Sequence, residues 1–179
     1  MEKASLVQSA LRRRPWHEAG YAVEYGAFVG YTSVRLASRL SDEAGPRSFS
    51  LEVDPVHQAL ATRLLDLCGL LRWGEVWGGQ VRDVLPRLAE ELGARCCALA
   101  FADHRGTRFH EDFAGLARVG APAVVMQAVA DNVLNPGGPV FAWGLRFMPY
   151  ATAWSLPEFL SPDKEDWMAV LDAPPAGAL

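Results

Sequence analysis

"VEYGAFVGYTSVRLA", residues 23–37, decides how this chain is read. An apolar run ends at Gly26, a second glycine follows at Gly30, and "YTSVRLASRL" then places its apolar residues at helical spacing. A strand, a glycine turn and a helix therefore follow one another directly. A helix that begins this way leaves its first N–H groups free to receive an anionic group. The spacing is neither the Gly-x-Gly-x-x-Gly of nicotinamide-binding folds nor a P-loop, which needs Gly-Lys-Ser/Thr. The same glycines would also suit a plain tight turn, and the pattern alone leaves both readings open.

Outward from this stretch the same rhythm repeats. "KASLVQSALRRR" before it spaces Leu6, Val7, Ala10 and Leu11 as a helix, and "YAVEYG" reads as a strand. "RSFSLEV" is strand-like, Pro55 suits a helix start, and "VHQALATRLLDLCG" ends in Gly69 as a helix cap. "WGEVWGG", "VRDVLPRLAEELG", "RCCALAFAD", "FHEDFAGLARVG" and "APAVVMQAVAD" continue as strand, helix, strand, helix and strand. Such alternation requires crossover connections and predicts a doubly wound α/β domain with a parallel sheet covered on both faces. The tail breaks the rhythm: "FMPYATAWSL" and "DWMAVLDA" are strand-like with no convincing helix between them, which predicts an antiparallel pair at the sheet edge.

With 179 residues, half of them apolar, one sizeable core is feasible, and a single domain over 1–179 is expected. The net charge of −4, with both signs mixed along the chain, argues against a nucleic-acid surface. The odd set Cys68, Cys96 and Cys97 reads as buried thiols in a reducing compartment. No stretch reaches the ~18 apolar residues of a membrane span, and the N-terminus lacks the pattern of a signal peptide. The expectation is a cytoplasmic protein with no membrane or nucleic-acid partner and an open oligomeric state.

In a sheet of this kind ligands sit beyond the carboxyl ends of the strands, near the point where strand order reverses. Glu52 in "SLEVDP" stands at such an end and can accept both hydroxyls of a ribose. Asp54 competes for that role, or instead caps the helix starting near Pro55. "FADHRGTR", residues 101–108, puts Asp103 where the next strand leaves the core, and "VADNVLNPGG" puts Asp131 and Asn132 after the following one. Two carboxylates and an amide oxygen are hard donors suited to Mg²⁺. Asp-Asn ahead of Pro-Gly is also ordinary turn chemistry.

Taken together, "VEYGAFVGYTSVRLA", "LEVDP", "RDVLPRL", "FADH" and "ADNVLNPGGP" resemble, in order and spacing, the catechol O-methyltransferase family. Its members use Mg²⁺ to move a methyl group from S-adenosylmethionine to a catechol hydroxyl. The resemblance implies the class I methyltransferase fold, a Rossmann-like, mostly parallel seven-stranded sheet ending in an antiparallel pair, here lacking the family's first helices. It implies that Glu24, Gly26 and the turn through Gly30 to Thr32 approach the methionine end of the cofactor. Glu52 would hold the ribose, and Gly79, Gln80 and His104 would surround the adenosine. Asp103, Asp131 and Asn132 would hold Mg²⁺, with Asp103 between metal and cofactor. Glu158 in "SLPEFL" would bind one acceptor hydroxyl, which makes Asp103, His104 and Glu158 the implied catalytic set.

The sequence departs from the family at defined places. Gly106 stands where the family has a base lysine, three residues after the metal aspartate. Arg105 replaces a tryptophan beside the adenine, and neither it nor Arg108 can act as a base at neutral pH. His104 is the titratable neighbour. "APAVVMQAVADN" is longer than the family's strand, and a one-residue slip there would turn Asp131 away from Asp103. Two readings stand: an O-methyltransferase acting on a catechol-like small molecule, and a degenerate or truncated module that binds cofactor or a partner without turnover.

Overall fold

The computed structural model describes residues 3–12, 20–42, 47–148, 150–157 and 163–172. In chain order the elements are α1 (Lys3–Arg12), β1 (Tyr21–Tyr25), α2 (Tyr31–Leu40), β2 (Ser48–Glu52), α3 (Pro55–Leu67), β3 (Gly74–Gly78), α4 (Val81–Leu92) and β4 (Cys97–Ala102). They continue through α5 (Phe109–Arg118), β5 (Pro122–Ala130), α6 (Pro139–Leu145), β6 (Ala151–Pro157) and β7 (Glu165–Asp172). Pro55 opens α3, with the Asp54 carboxylate capping the N–H groups of Val56 and His57. Asp54 is thereby a helix cap, the second of the two roles open to it.

The strands form one seven-stranded sheet in the order β3-β2-β1-β4-β5-β7-β6. Pairings among β1 to β5 are parallel, while β7 runs antiparallel to β5 and β6 antiparallel to β7. Strand order reverses between β1 and β4, so a crevice opens beyond their carboxyl ends. β2 and β4 are buried along their whole length, as expected of parallel strands with helices on both sides. On one face Leu6, Val7 and Leu11 of α1 and Leu36 and Leu40 of α2 pack on Leu99, Phe101 and Met168. On the other, Leu85 and Leu88 of α4, Phe109 and Leu116 of α5 and Phe141 of α6 close over Val23, Phe49 and Ala100.

The extra length of β5 is absorbed away from the crevice. Between Cys97 and Leu99 on β4 the partner strand advances from Pro122 to Gln127, after which pairing is regular through Ala102 opposite Ala130. Asp103 and Asp131 are therefore next to each other at the ends of matched strands. Two expectations need correction. α6 was not foreseen, because "PVFAWGL" follows a Pro-Gly loop and leaves Trp143 61% exposed, so it carries no clear amphipathic period. Cys68 is exposed at the C-terminal end of α3, whereas Cys96 and Cys97 are buried as expected.

Candidate active site

Local backbone demands explain the glycines around the crevice. Gly26 has φ +94, and a Cβ there would come within 3.0 Å of both the Asp103 carbonyl oxygen and the His104 Cβ. The β1 end can approach the β4 end because no side chain intervenes. Gly30 has φ +91, and a Cβ there would lie 2.8 Å from Ala61 Cα, so glycine also lets the start of α2 close on α3.

Beyond these strand ends lies a cleft of about 640 Å³ whose walls include Gly26, Glu52, Gly79, Gln80, Asp103 and His104. A smaller recess of about 180 Å³ is lined by Lys3, Tyr31, Thr32, Arg35, Asp103 and Asp131 among others. Asp103 is the wall the two cavities share. Of the residues read from sequence, Thr32 and Asp131 belong to the smaller recess and the adenosine-side set to the larger cleft. Glu158 lies outside the described residues.

Glu52 is held rigidly: its Oε2 accepts from Phe28 N at 2.8 Å and its Oε1 from Asp54 N at 2.9 Å. Glu52 lines the larger cleft, and each of its carboxylate oxygens keeps acceptor capacity beyond these bonds, which suits a vicinal diol. Glu24, buried at the end of β1, accepts from the Ser33 hydroxyl at 2.6 Å through Oε2. Its Oε1 has no hydrogen-bond partner among the described residues. Burial pushes its carboxyl up to about 7 against the pull of the Ser33 and Ser50 hydroxyls. Glu24 itself lines neither cavity.

His104 Nε2 lies 2.7 Å from Asp112 Oδ2, and the ring packs edge-on against Tyr25 and near Phe109. Its Nδ1 has no partner among the described residues. Asp112 and the aromatic rings thus fix the imidazole in the wall of the larger cleft. It does not line the smaller recess.

Asp103 is exposed in the crevice, where it walls both cavities, yet the protein around it removes enough water to push its carboxyl up to about 7. The neighbouring carboxylates of Asp131 and Glu24 add to this, and Lys3 opposes it. Burial likewise raises Asp131, again against Lys3. Surplus negative charge of this kind favours a cation. Asn132, at φ 56 and ψ 40, donates its Nδ2 to Asn135 O at 2.9 Å and to Asp166 Oδ2 at 3.0 Å, which leaves its amide oxygen uncommitted. The donors are two carboxylates and an amide oxygen, and they fit a hard divalent ion that keeps several waters. Among the described residues no three His, Cys, Asp or Glu side chains converge on a metal position.

Sequence reasoning missed two residues of this centre. Asp166, fully buried at the start of β7, accepts from Leu134 N at 3.1 Å, Asn135 N at 3.0 Å, Asn132 Nδ2 at 3.0 Å and Lys3 Nζ at 2.8 Å. Burial raises its carboxyl, but these hydrogen bonds together outweigh it and hold the group below its ordinary range. Lys3 also reaches Asp131 Oδ1 at 2.9 Å. A charged residue heading an otherwise apolar strand was the available signal for Asp166; nothing in the local sequence of α1 marks Lys3.

No protein-family model matches the chain. It is 29% identical over 140 residues to catechol O-methyltransferase of Bos taurus, covering 78% of this chain and 50% of that one. It is 32% identical over 124 residues to catechol O-methyltransferase of Sus scrofa, covering 69% and 66%. The chain thus spans about half the length of several curated relatives it matches. Among solved structures, an O-methyltransferase from Bacillus cereus in complex with SAH superposes with a TM-score of 0.74 at 20% identity, over 96% of this chain and 78% of that one. The O-methyltransferase TomG from Streptomyces achromogenes, in complex with SAM, gives 0.72 at 23% identity over 94% and 78%. The architecture is the class I methyltransferase fold. By sequence the chain belongs to the catechol O-methyltransferase family. Among the described residues no helix is long and apolar enough to cross a membrane.

Proposed function

We propose that this chain is an S-adenosylmethionine- and Mg²⁺-dependent O-methyltransferase acting on a catechol-like small molecule. The observation that carries the reading is that Asp103 walls both cavities, sharing the larger with Glu52 and the smaller with Asp131. Glu52 receives the ribose hydroxyls, already oriented by the Phe28 and Asp54 N–H groups. Glu24 takes the ammonium of the methionine end at its free oxygen, while Gly79, Gln80 and His104 border the adenosine. Asp103, Asp131 and Asn132 hold Mg²⁺, and Asp103 aligns donor and acceptor by touching both cavities. The cofactor supplies an electrophilic methyl group, and a divalent ion at this site lowers the pKa of an acceptor hydroxyl and fixes it for in-line attack. Positioning supplies most of the rate, since no described lysine stands at position 106.

Transfer of labelled methyl from S-adenosylmethionine to a panel of catechols, with Mg²⁺ and with a chelator, tests the proposal. Transfer that is lost on chelation, and lost by about a hundredfold or more in Asp131→Ala, supports it. Absence of transfer from folded protein under both conditions favours the second reading, a cofactor-binding module without turnover. The observation on that side is Gly106, where the family's base is missing.

A further inference from the structure

Taking Asp103, Asp131 and Asn132 as a divalent-cation site, as proposed above, we propose further that Lys3 sets the strength of that site. Its ammonium competes with the incoming ion for the charge of Asp131, so that the seating of Lys3 between the Asp131 and Asp166 carboxylates and the loading of the metal oppose each other.

Three features carry this. Lys3 Nζ bridges Asp131 Oδ1 at 2.9 Å and Asp166 Oδ2 at 2.8 Å, joining the first turn of α1 to the end of β5 and the start of β7. Asp131 Oδ1 also accepts Asn132 N at 2.7 Å, so the other oxygen of this carboxylate is the one left for an ion. An ion bound there shares a single carboxylate with an ammonium, and like charges a few ångström apart in a partly buried site repel strongly. Asp166 supplies the alternative position. It is fully buried and fixed independently by Leu134 N and Asn135 N, so an ammonium that yields Asp131 still has a carboxylate to hold it. α1 stays docked meanwhile through Leu6, Val7 and Leu11.

The test is direct binding of Mn²⁺ to the 179-residue chain at pH 8, followed by the electron paramagnetic resonance signal of the free ion. Lys3→Met is expected to bind Mn²⁺ about tenfold more tightly than wild type, and Lys3→Arg, which keeps the charge, to stay within about twofold of it. A merely structural lysine would give the opposite result, because losing a structural contact loosens a site. Binding by Lys3→Met with none by wild type also supports the proposal. Wild-type binding that is equal to or tighter than that of Lys3→Met overturns it and leaves the metal site standing. Binding by neither protein overturns the metal site and this proposal together. If Lys3→Met loses its near-ultraviolet circular dichroism, Lys3→Gln, which can still donate to Asp166, carries the same expectation.

Discussion

A Cβ placed on Gly106 would stand 2.6 Å from the carbonyl oxygen of Gly137, and one on Gly138 would stand 2.8 Å from the carbonyl oxygen of Gly106. The two backbones touch, and each glycine is needed by the other. The position where the family carries its base lysine is therefore closed by main chain in this protein. A flexible neighbour could yield to a new side chain, but the Gly137 backbone carbonyl cannot do so without moving the loop that carries Asn132.

Restoring the lysine is accordingly expected to harm the protein. Gly106→Lys should lower stability by about 1–3 kcal/mol, the usual range for overpacking, and should not raise methyl transfer. Chemical denaturation alongside the transfer assay checks both halves. A stable, faster variant would show that the turn can open.

Buried Glu24 and the crevice acid Asp103 predict a pH dependence for the ligand-free protein. Glu24 rises from 4.5 to about 7 on folding and Asp103 from 3.8 to about 7, so the folded chain binds more protons than the unfolded chain within that interval. Their contribution to stability is complete below about 4 and is lost as pH rises to about 7. Thermal midpoints should fall across this window. Glu24→Gln should remove part of the slope, raising the midpoint at pH 8 by a few degrees and leaving it unchanged at pH 4.

Glu52 is placed for a diol by two backbone N–H groups. Glu52→Gln replaces one acceptor oxygen by a donor, and affinity for S-adenosylhomocysteine measured by calorimetry should fall about tenfold. An unchanged affinity would remove Glu52 from the cofactor site.

Asp166 acts through the loop it holds. Asp166→Ala removes one of the carboxylates that hold Lys3 and frees the N–H groups of Leu134 and Asn135, with an expected loss of about 3 kcal/mol in denaturant unfolding. S-adenosylhomocysteine binding should persist, because the larger cleft does not include this residue, while transfer falls. Loss of both together would mean that the two cavities are not separable.

Much of this architecture could be read along the chain. The apolar periods of "YTSVRLASRL" and "RSFSLEV", the proline at the start of α3 and the glycines after β1 are local signals, and local backbone preference obeys them. Helix α6 escaped because a short helix with Trp143 turned to solvent has no amphipathic stripe to betray it.

The candidate site divides in the same way. Glu52, Asp103 and Asp131 were legible because parallel α/β sheets present ligands at strand ends, and a carboxylate just past an apolar run marks such an end. Sequence by itself determined the element order apart from α6, the sheet class and these acids, each through regularities within a few residues. Tertiary structure alone decided that the irregular pairing near Cys97 keeps Asp131 level with Asp103, that Gly137 closes position 106, and that Lys3 meets Asp166 across 163 positions of chain. Such contacts have no sequence period, because they are fixed by where the sheet brings distant segments together and by the cost of leaving a buried charge unpaired.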